Sequence, residues 1–404
     1  MRTHNTHPLH IIAVAIAPLL AAALAAAEPF PGPGGYIAAL KTPALATRLG
    51  EEPEGVRPED EKWRLVHIGG KALGVAFFYT GGIVARDLAV LTPDRLVIAS
   101  LGVGEAKIIW SAHNFQGARP LGLAVFDTNG DGREEIFVNA MKEGGLASAV
   151  FDKIGGEYRM IASGLPYFFS ATPGGRLLAQ KLAKGGHSVD PAVLYVSREE
   201  GDLRLDPAFT IEGEAPLGLY GADADGDGVM EMAGVPRDGA LALYSPAGKL
   251  LWKAGGLGAG AKISTAEGAL AQDPTSLRVP ARVVRIKDQE GWPVLAVGSS
   301  APDGGVFLGL GQRDAGAVRL IRAGASAYTI KKKYVVPKAW IGGLIDLSGG
   351  PLGKDSLPGF VAVQEREGTS TIYLPPDFTE LGPELEITVS FGGPDKPRRD
   401  RTGR

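Results

Sequence analysis

Short apolar segments recur along this chain, and each leads through a turn into a second apolar segment. Three equivalent openings lie at residues 74–79, 122–127 and 218–223, so the second follows the first by 48 residues and the third follows the second by 96 residues. An interval of 48 residues predicts a missing member near residue 170, where the segment 167–180 has the same apolar, turn and apolar pattern but no acidic side chains. The chain is therefore a repeat protein whose loops differ from one repeat to the next.

The later repeats are longer and keep the same pattern. The six openings fall at about 74, 122, 170, 218, 281 and 341. Short segments rich in β-branched and aromatic residues, bounded by turns, predict strands, and units of about 40 to 60 residues with about four short strands each predict a β-propeller. The expected fold class is all-β, a propeller of six four-stranded blades, or of seven if the N-terminal segment or residues 300–335 complete another blade.

A tryptophan ends two of these units, in Lys-Ile-Ile-Trp at 107–110 and Lys-Leu-Leu-Trp at 249–252. Two apolar residues followed by tryptophan are expected on the outer strand of a blade, where the ring can pack against the neighbouring blade. The repeated motif therefore predicts a packing role for Trp110 and Trp252.

The two ends of the chain differ in composition from the repeats. Residues 1–27 combine a weakly basic start, an apolar run at 11–26 and three alanines, which is typical of a secretory signal peptide. A retained membrane anchor is the alternative, although the run is shorter than the about 20 residues of a membrane span. The expected domains are the signal peptide at 1–27, a Pro/Gly/Glu-rich lead-in at 28–61 that can add one closing strand, the propeller at 62–390 and a disordered basic tail at 391–404.

Charge and cysteine content narrow the functional classes. The formal net charge is −3, from 42 Lys and Arg against 45 Asp and Glu, and the basic residues are scattered, so nucleic acid is not the expected partner. No stable membrane span is expected once the signal peptide is cleaved. The chain has no Cys, which excludes thiol chemistry and disulfides, so an exported chain of this kind must draw its stability from a large core, to which bound metal can add.

One acidic nine-residue stretch occurs twice, at 127–135 and 223–231, each time after Pro-Leu-Gly-Leu. Side chains with oxygen atoms occupy positions 1, 3, 5 and 9, and Gly at position 6 permits a sharp turn, a pattern that suits Ca²⁺. An EF-hand would need Glu at position 12 and a helix on each side, but position 12 is Val138 or Gly234 and the flanking segments predict strands. The pattern therefore predicts a calcium loop on a β-hairpin.

The expected Ca²⁺ ligands occupy the same positions in both loops. They are Asp127, Asn129, Asp131, the Arg133 carbonyl and Glu135 in the first loop, and Asp223, Asp225, Asp227, the Val229 carbonyl and Glu231 in the second. Crowded carboxylates repel one another, and a cation relieves that repulsion; the alternative is a solvated acidic turn without metal. Since other repeats lack these side chains, we expect the loops to stabilise the fold rather than to perform chemistry. A distorted metal site between Asp346 and Asp355 is a further alternative.

The acidic loop, opened and closed by apolar strands, resembles the FG-GAP and VCBS repeats, which occur in the propellers of integrin α-subunits and in many exported bacterial proteins. The match is specific in two repeats, and the spacing extends it over about 74–365. The resemblance implies a β-propeller with Ca²⁺ held in hairpin loops at the periphery of the blades. It assigns no metal to the loops that lack the acidic residues.

The expected function is that of a non-enzymatic binding or scaffold module with a protein or polysaccharide partner, located in the periplasm or at the cell surface. His67, His113 and His187 are far apart in sequence, and no nucleophile elbow, zinc-protease motif or phosphate loop is present. The alternative is an exported propeller enzyme acting on glycans, a hydrolase or lyase, with paired carboxylates from distant blades. Four tryptophans could line its sugar site: Trp110, Trp252, Trp292 and Trp340.

Overall fold

The computed structural model describes the following residues: 44–48, 52–79, 86–102, 105–113, 115–172, 176–186, 188–222, 224, 229–255, 261–263, 277–279, 284–287, 293–299, 315–323, 327–337, 339–345, 359–364, 368–376 and 386–389. The expected signal peptide at 1–27, the basic tail at 391–404 and the loop at 346–355 all lie outside the described residues. No helix among the residues that the structure describes is long and apolar enough to span a membrane.

Six small antiparallel sheets form a ring, so the protein is a six-bladed β-propeller. The chain begins with β1 (Ala44–Arg48), a 3-10 turn at Pro58–Glu61 and β2 (Arg64–Ile68). Blade 1 contains β3 (Gly74–Tyr79), β4 (Arg86–Leu91), β5 (Arg95–Gly102) and β6 (Glu105–His113). Blade 2 contains β7 (Arg119–Phe126), β8 (Glu135–Lys142), the short β9 (Gly145–Leu146), β10 (Ser148–Ile154) and β11 (Glu157–Leu165).

The remaining blades follow in chain order. Blade 3 contains β12 (Phe168–Thr172), β13 (Arg176–Leu182), β14 (Val189–Glu199) and β15 (Asp202–Thr210). Blade 4 contains β16 (Tyr220–Ala222), β17 (Glu231–Gly234), β18 (Leu241–Tyr244) and β19 (Leu250–Ala254). A two-stranded sheet of β20 (Ala261–Ile263) and β21 (Leu277–Val279) comes next. Blade 5 contains β22 (Val284–Lys287), β23 (Pro293–Ser299), β24 (Ala315–Ala323) and β25 (Ala327–Pro337). Blade 6 contains β26 (Trp340–Ile345), β27 (Gly359–Gln364) and β28 (Thr369–Leu374), and the last strand is β29 (Glu386–Val389).

Strand β2 completes blade 6 and closes the ring. It pairs antiparallel with β28, with Val66 opposite Ile372, and thereby supplies the fourth strand of the last blade from the N-terminal part of the chain. The stretch 300–335 contributes β24 and β25 to blade 5 instead of starting a new blade. These two assignments decide the number of blades as six. The predicted openings near 74, 122, 170, 218, 281 and 341 are confirmed as the starts of the first strands of the six blades.

Two further strands cover outer edges of the ring. Strand β1 pairs in parallel with β19 of blade 4 and with β25 of blade 5, and so joins the outer edges of two neighbouring blades. Strand β29 pairs in parallel with β2 and also contacts β6 of blade 1. The predicted lead-in at 28–61 thus contains β1, whereas the strand that closes the ring begins at Arg64.

An apolar cluster fills each junction between neighbouring blades. Because successive side chains of a strand point to opposite faces, one strand can serve two junctions. In β8, Ile136 and Val138 pack toward blade 1, whereas Phe137 packs toward blade 3. Both faces of a blade are therefore buried, which explains why the second strands are apolar almost throughout.

Candidate functional site

The first acidic loop connects β7 and β8 in blade 2. Gly130 and Gly132 have φ values of 74° and 81°, which glycine adopts without strain, so the chain can curl tightly here. The Asp127 carboxylate closes the curl, because Oδ1 accepts the N–H of Gly130 at 2.7 Å and Oδ2 accepts the N–H of Gly132 at 2.8 Å. The sharp turn predicted from the glycine at position 6 is confirmed.

Asn129 and Asp131 lie at the exposed tip of this loop, where Asp131 has a cationic partner. The Arg133 guanidinium donates from Nη2 to Asp131 Oδ2 at 2.5 Å and from Nη1 to the Lys153 carbonyl at 3.2 Å. Its hydrogen bonds lower the pKa of the Asp131 carboxyl below the ordinary value. A metal ion at the tip would therefore compete with Arg133 for Asp131.

Glu135, at the ninth position of the loop, is buried, with only 1% of its surface exposed. Its Oε2 accepts the backbone N–H of Thr128 at 2.7 Å, which ties the exit of the loop to its entry. Burial raises the pKa of Glu135, because removal from water disfavours the charged carboxylate. The side chain is an internal brace of the loop.

Arg198, on β14 of blade 3, supplies positive charge beside Glu135. Its Nη1 lies 2.6 Å from Oδ2 of Asp152 on β10 and 3.3 Å from Oε1 of Glu135. Its backbone N–H also donates to the Thr128 carbonyl at 3.0 Å. Blade 3 is thereby linked to the loop and to the third strand of blade 2. The sequence analysis missed Arg198 and Asp152, because the partners are 46 and 63 residues apart in the chain.

The second acidic loop repeats the brace of the first. Glu231 is buried, and its Oε2 accepts the N–H of Ala224 at 2.8 Å. These residues hold positions 9 and 2, as Glu135 and Thr128 do in the first loop. Val229, whose carbonyl is an expected ligand, has an exposed side chain. Three expected ligands lie outside the described residues: Asp223, Asp225 and Asp227.

The donor atoms of the first loop suit a hard cation such as Ca²⁺, since Asp127, Asn129 and Asp131 all offer oxygen. Among the described residues, however, no group of three or more His, Cys, Asp or Glu side chains is arranged to hold a metal ion. Asp127 accepts backbone N–H groups, Asp131 contacts Arg133, and Glu135 binds inside the loop. Calcium would have to displace Arg133 from Asp131, and the site stays a prediction.

Two buried amide side chains join neighbouring blades, and we call them the amide clamps. Asn139 on β8 donates from Nδ2 to the Phe169 carbonyl at 2.8 Å and accepts the Phe169 N–H on Oδ1 at 2.7 Å. Gln180 on β13 donates from Nε2 to the Pro216 carbonyl at 2.9 Å and accepts the Gly218 N–H on Oε1 at 2.8 Å. The sequence analysis missed both. A single amide within the apolar middle of each strand was the available signal.

A surface cleft of about 530 Å³ lies between the turns that follow the second strands of blades 2 and 3, and we call it the turn cleft. These turns lie at the opposite end of the blades from the acidic loops, which precede the second strands. Gly186 has a φ of 74°, and a Cβ there would lie 3.2 Å from the Gly144 carbonyl oxygen, so glycine lets the two turns approach closely. The lining is formed by Glu143, Gly144, Gly145, Leu146, Pro166, Lys181, Leu182, Ala183, Gly185 and Gly186.

The tryptophans on the outer strands pack between blades, as their motif predicted. Trp110 contacts Phe151 of blade 2, with ring centroids 5.7 Å apart. Trp252 is almost fully buried and contacts Tyr328 of blade 5 edge to face at 6.5 Å. The two rings therefore lie at different blade junctions and do not form a common sugar-binding face. Trp292 and the side chain of Trp340 lie outside the described residues.

Comparison with known proteins finds only distant structural likenesses. The chain is similar to BBS1N in a crystal structure with ARL6DN soaked with lead, at 14% identity and a TM-score of 0.43, over 81% of this chain and 100% of that chain. It is also similar to the exotype rhamnogalacturonan lyase YesX (12%, TM-score 0.40, over 82% and 75%) and to a glucose dehydrogenase (10%, TM-score 0.41, over 77% and 98%). No protein-family model and no curated protein matches the chain, so membership of the FG-GAP or VCBS family stays a prediction.

Proposed function

We propose that this β-propeller is an exported, non-enzymatic binding or scaffold module for a protein or polysaccharide partner, in the periplasm or at the cell surface. The turn cleft is the observation that carries the proposal. The cleft is lined by glycine turns, whose backbone N–H and C=O groups can hydrogen-bond a partner. The apolar side chains of Leu146, Pro166 and Leu182 lie beside these turns. The pattern of residues 1–27 is the support for export.

The chemistry of the turn cleft favours binding over catalysis. Hydrolysis of a glycosidic bond generally needs two carboxylates that flank the bond, whereas Glu143 is the one carboxylate among the residues that line the cleft. Lys181 lies over the Tyr167 ring, with Nζ 4.8 Å from the centroid, a cation–π contact that holds the ammonium group beside the cleft. A glycine-rich cleft with one acidic side chain, Glu143, and one basic side chain, Lys181, can orient a polar partner without reacting with it.

A capture experiment tests the binding function. The full chain, immobilised, should retain an envelope protein or polysaccharide, and Gly145→Phe should reduce that retention by at least about tenfold because the ring fills the turn cleft. The backbone at Gly145 is compatible with a side chain, since an added Cβ would meet only the Lys142 carbonyl oxygen at 3.8 Å. Ala192→Phe, at an exposed position of β14, is the matched control and should retain the partner. Equal retention by both variants would contradict the role of the cleft.

We also propose that Ca²⁺ stabilises the module through the two acidic loops. A ligand that binds the folded state alone raises stability by RT ln(1 + [L]/Kd), which is about 2.7 kcal/mol at a hundredfold excess over Kd. Millimolar Ca²⁺ should therefore raise the melting temperature relative to chelator, and Asp131→Asn should weaken the effect. Glu157→Gln, an exposed carboxylate outside the loops, is the control. Identical melting curves in Ca²⁺ and in chelator would refute the calcium proposal and leave the binding proposal intact.

A further inference from the structure

The junction between blades 1 and 2 and the junction between blades 4 and 5 are built alike at the outer rim. Lys-Ile-Ile-Trp at 107–110 and Lys-Leu-Leu-Trp at 249–252 occupy the fourth strands, β6 and β19. In both strands the pairing register skips the residue before tryptophan, so Ile109 and Leu251 are the bulged residues.

The tryptophans meet equivalent partners across the junction. Trp110 lies 5.4 Å from Tyr158, the second residue of β11, and Trp252 lies 6.5 Å from Tyr328, the second residue of β25. The two junctions thus share the strand, the bulge and the aromatic pair. The two junctions differ in what covers the aromatic pair on the outer rim.

At the junction of blades 4 and 5, the chain itself fills the rim. Strand β1 lies in parallel between the two fourth strands, with Ala44 opposite Trp252 and Arg48 opposite Tyr328. The bulged Leu251 is partly buried against the apolar cluster there, and the Tyr328 hydroxyl donates to the Gly255 carbonyl at 3.2 Å. An extended strand of five residues is therefore sufficient to complete such a junction.

At the junction of blades 1 and 2, no strand among the residues that the structure describes occupies the corresponding place. A cavity of about 580 Å³, which we call the rim groove, is lined by Ile109, Trp110, Lys153, Gly156, Glu157 and Tyr158. The bulged Ile109 is 43% exposed, in contrast to Leu251. Among the described residues, the buried Tyr158 hydroxyl has no hydrogen-bond partner, in contrast to Tyr328.

We propose that the rim groove binds an extended segment of a partner polypeptide, which adds as a strand parallel to β6 and beside Trp110, as β1 adds beside Trp252. Strand addition suits a sheet edge because the backbone supplies the hydrogen bonds and pockets select the side chains. The chain uses parallel addition again where β29 pairs with β2. This inference names a partner class for the proposed binding function.

A labelled peptide with the sequence of residues 42–50 is the probe. Its fluorescence anisotropy should show saturable binding to the full chain, and Ile109→Asp should raise the Kd by at least about tenfold because a carboxylate then faces the groove. Ala192→Asp is the matched control, since Ala192 is exposed on β14 of blade 3 and does not line the rim groove. Its Kd should stay within about twofold of wild type.

Backbone pairing provides the second readout. N-methylation of alternate amides in the peptide removes donors that strand addition needs, so it should abolish binding. Four results would each overturn the proposal. They are no saturable binding of the peptide to the wild type, an equal loss of affinity in both variants, unchanged affinity for Ile109→Asp, and undiminished binding of the N-methylated peptide. Self-association of the wild type that Ile109→Asp abolishes would assign the groove to a second copy and would also overturn it. If the peptide does not bind but the turn cleft still captures its partner, the rim-groove proposal is wrong and the proposed binding function is unaffected.

Discussion

Replacing Asn139 with alanine tests the amide clamp between blades 2 and 3. Asn139 is 1% exposed, and its side chain satisfies both the N–H and the C=O of Phe169, at 2.7 and 2.8 Å. Each buried polar group that loses its partner costs about 1–3 kcal/mol. Two such groups cost about 2–6 kcal/mol together, and we expect a loss of about 4 kcal/mol in the free energy of unfolding for Asn139→Ala.

Urea denaturation followed by circular dichroism measures this loss. With a urea slope of about 3 kcal/mol/M, the midpoint should fall by about 1.3 M. Hydrogen exchange should also become faster at the Phe169 amide, because its acceptor is gone. Gln180→Ala should behave in the same way at the next junction, whereas Glu199→Ala, which removes an exposed ion pair with Arg204, should leave the midpoint unchanged. A midpoint for Asn139→Ala equal to that of Glu199→Ala would refute the reasoning.

Two further predictions concern charged groups. Arg198→Met leaves the carboxylates of Glu135 and Asp152 buried without their cation, so it should cost about 3–5 kcal/mol in urea denaturation; Arg204→Met, on the exposed face of the same blade, is the control, and equal effects of the two would contradict the prediction. Glu61 is partly buried, which disfavours its charge, but hydrogen bonds from Lys332 at 2.5 Å and Tyr334 at 3.1 Å outweigh burial and lower its pKa below the ordinary 4.5. Because the folded pKa is lower than the unfolded one, the stabilisation is present above pH 4.5 and is lost as the pH falls through the folded pKa. The gap in urea midpoint between wild type and Glu61→Gln should thus be full at about pH 7 and close at about pH 3, and a gap that widens in acid would contradict this sign.

Much of the fold was predictable because the information is local and repeated. The period of 48 residues located β12 near residue 170, although the loop after it has none of the acidic residues. The motif that ends in Trp110 and Trp252 correctly indicated outer strands that pack on the next blade. In the first acidic loop, the turn at Gly132 was predictable from its residue type, whereas the burial of Glu135 was not.

The sequence by itself determined the repeat, the strands and the residue types of the loops, because alternation and turn chemistry act over a few neighbouring residues. Only the tertiary structure decided that β2 closes blade 6, that β1 covers blades 4 and 5, and that Arg198 reaches Glu135. Those contacts join segments far apart in the chain, and they depend on the curvature that brings the blades into a ring. No local pattern records which strand edge is covered by another described strand, as β19 is by β1, and which, as at the rim groove, is not.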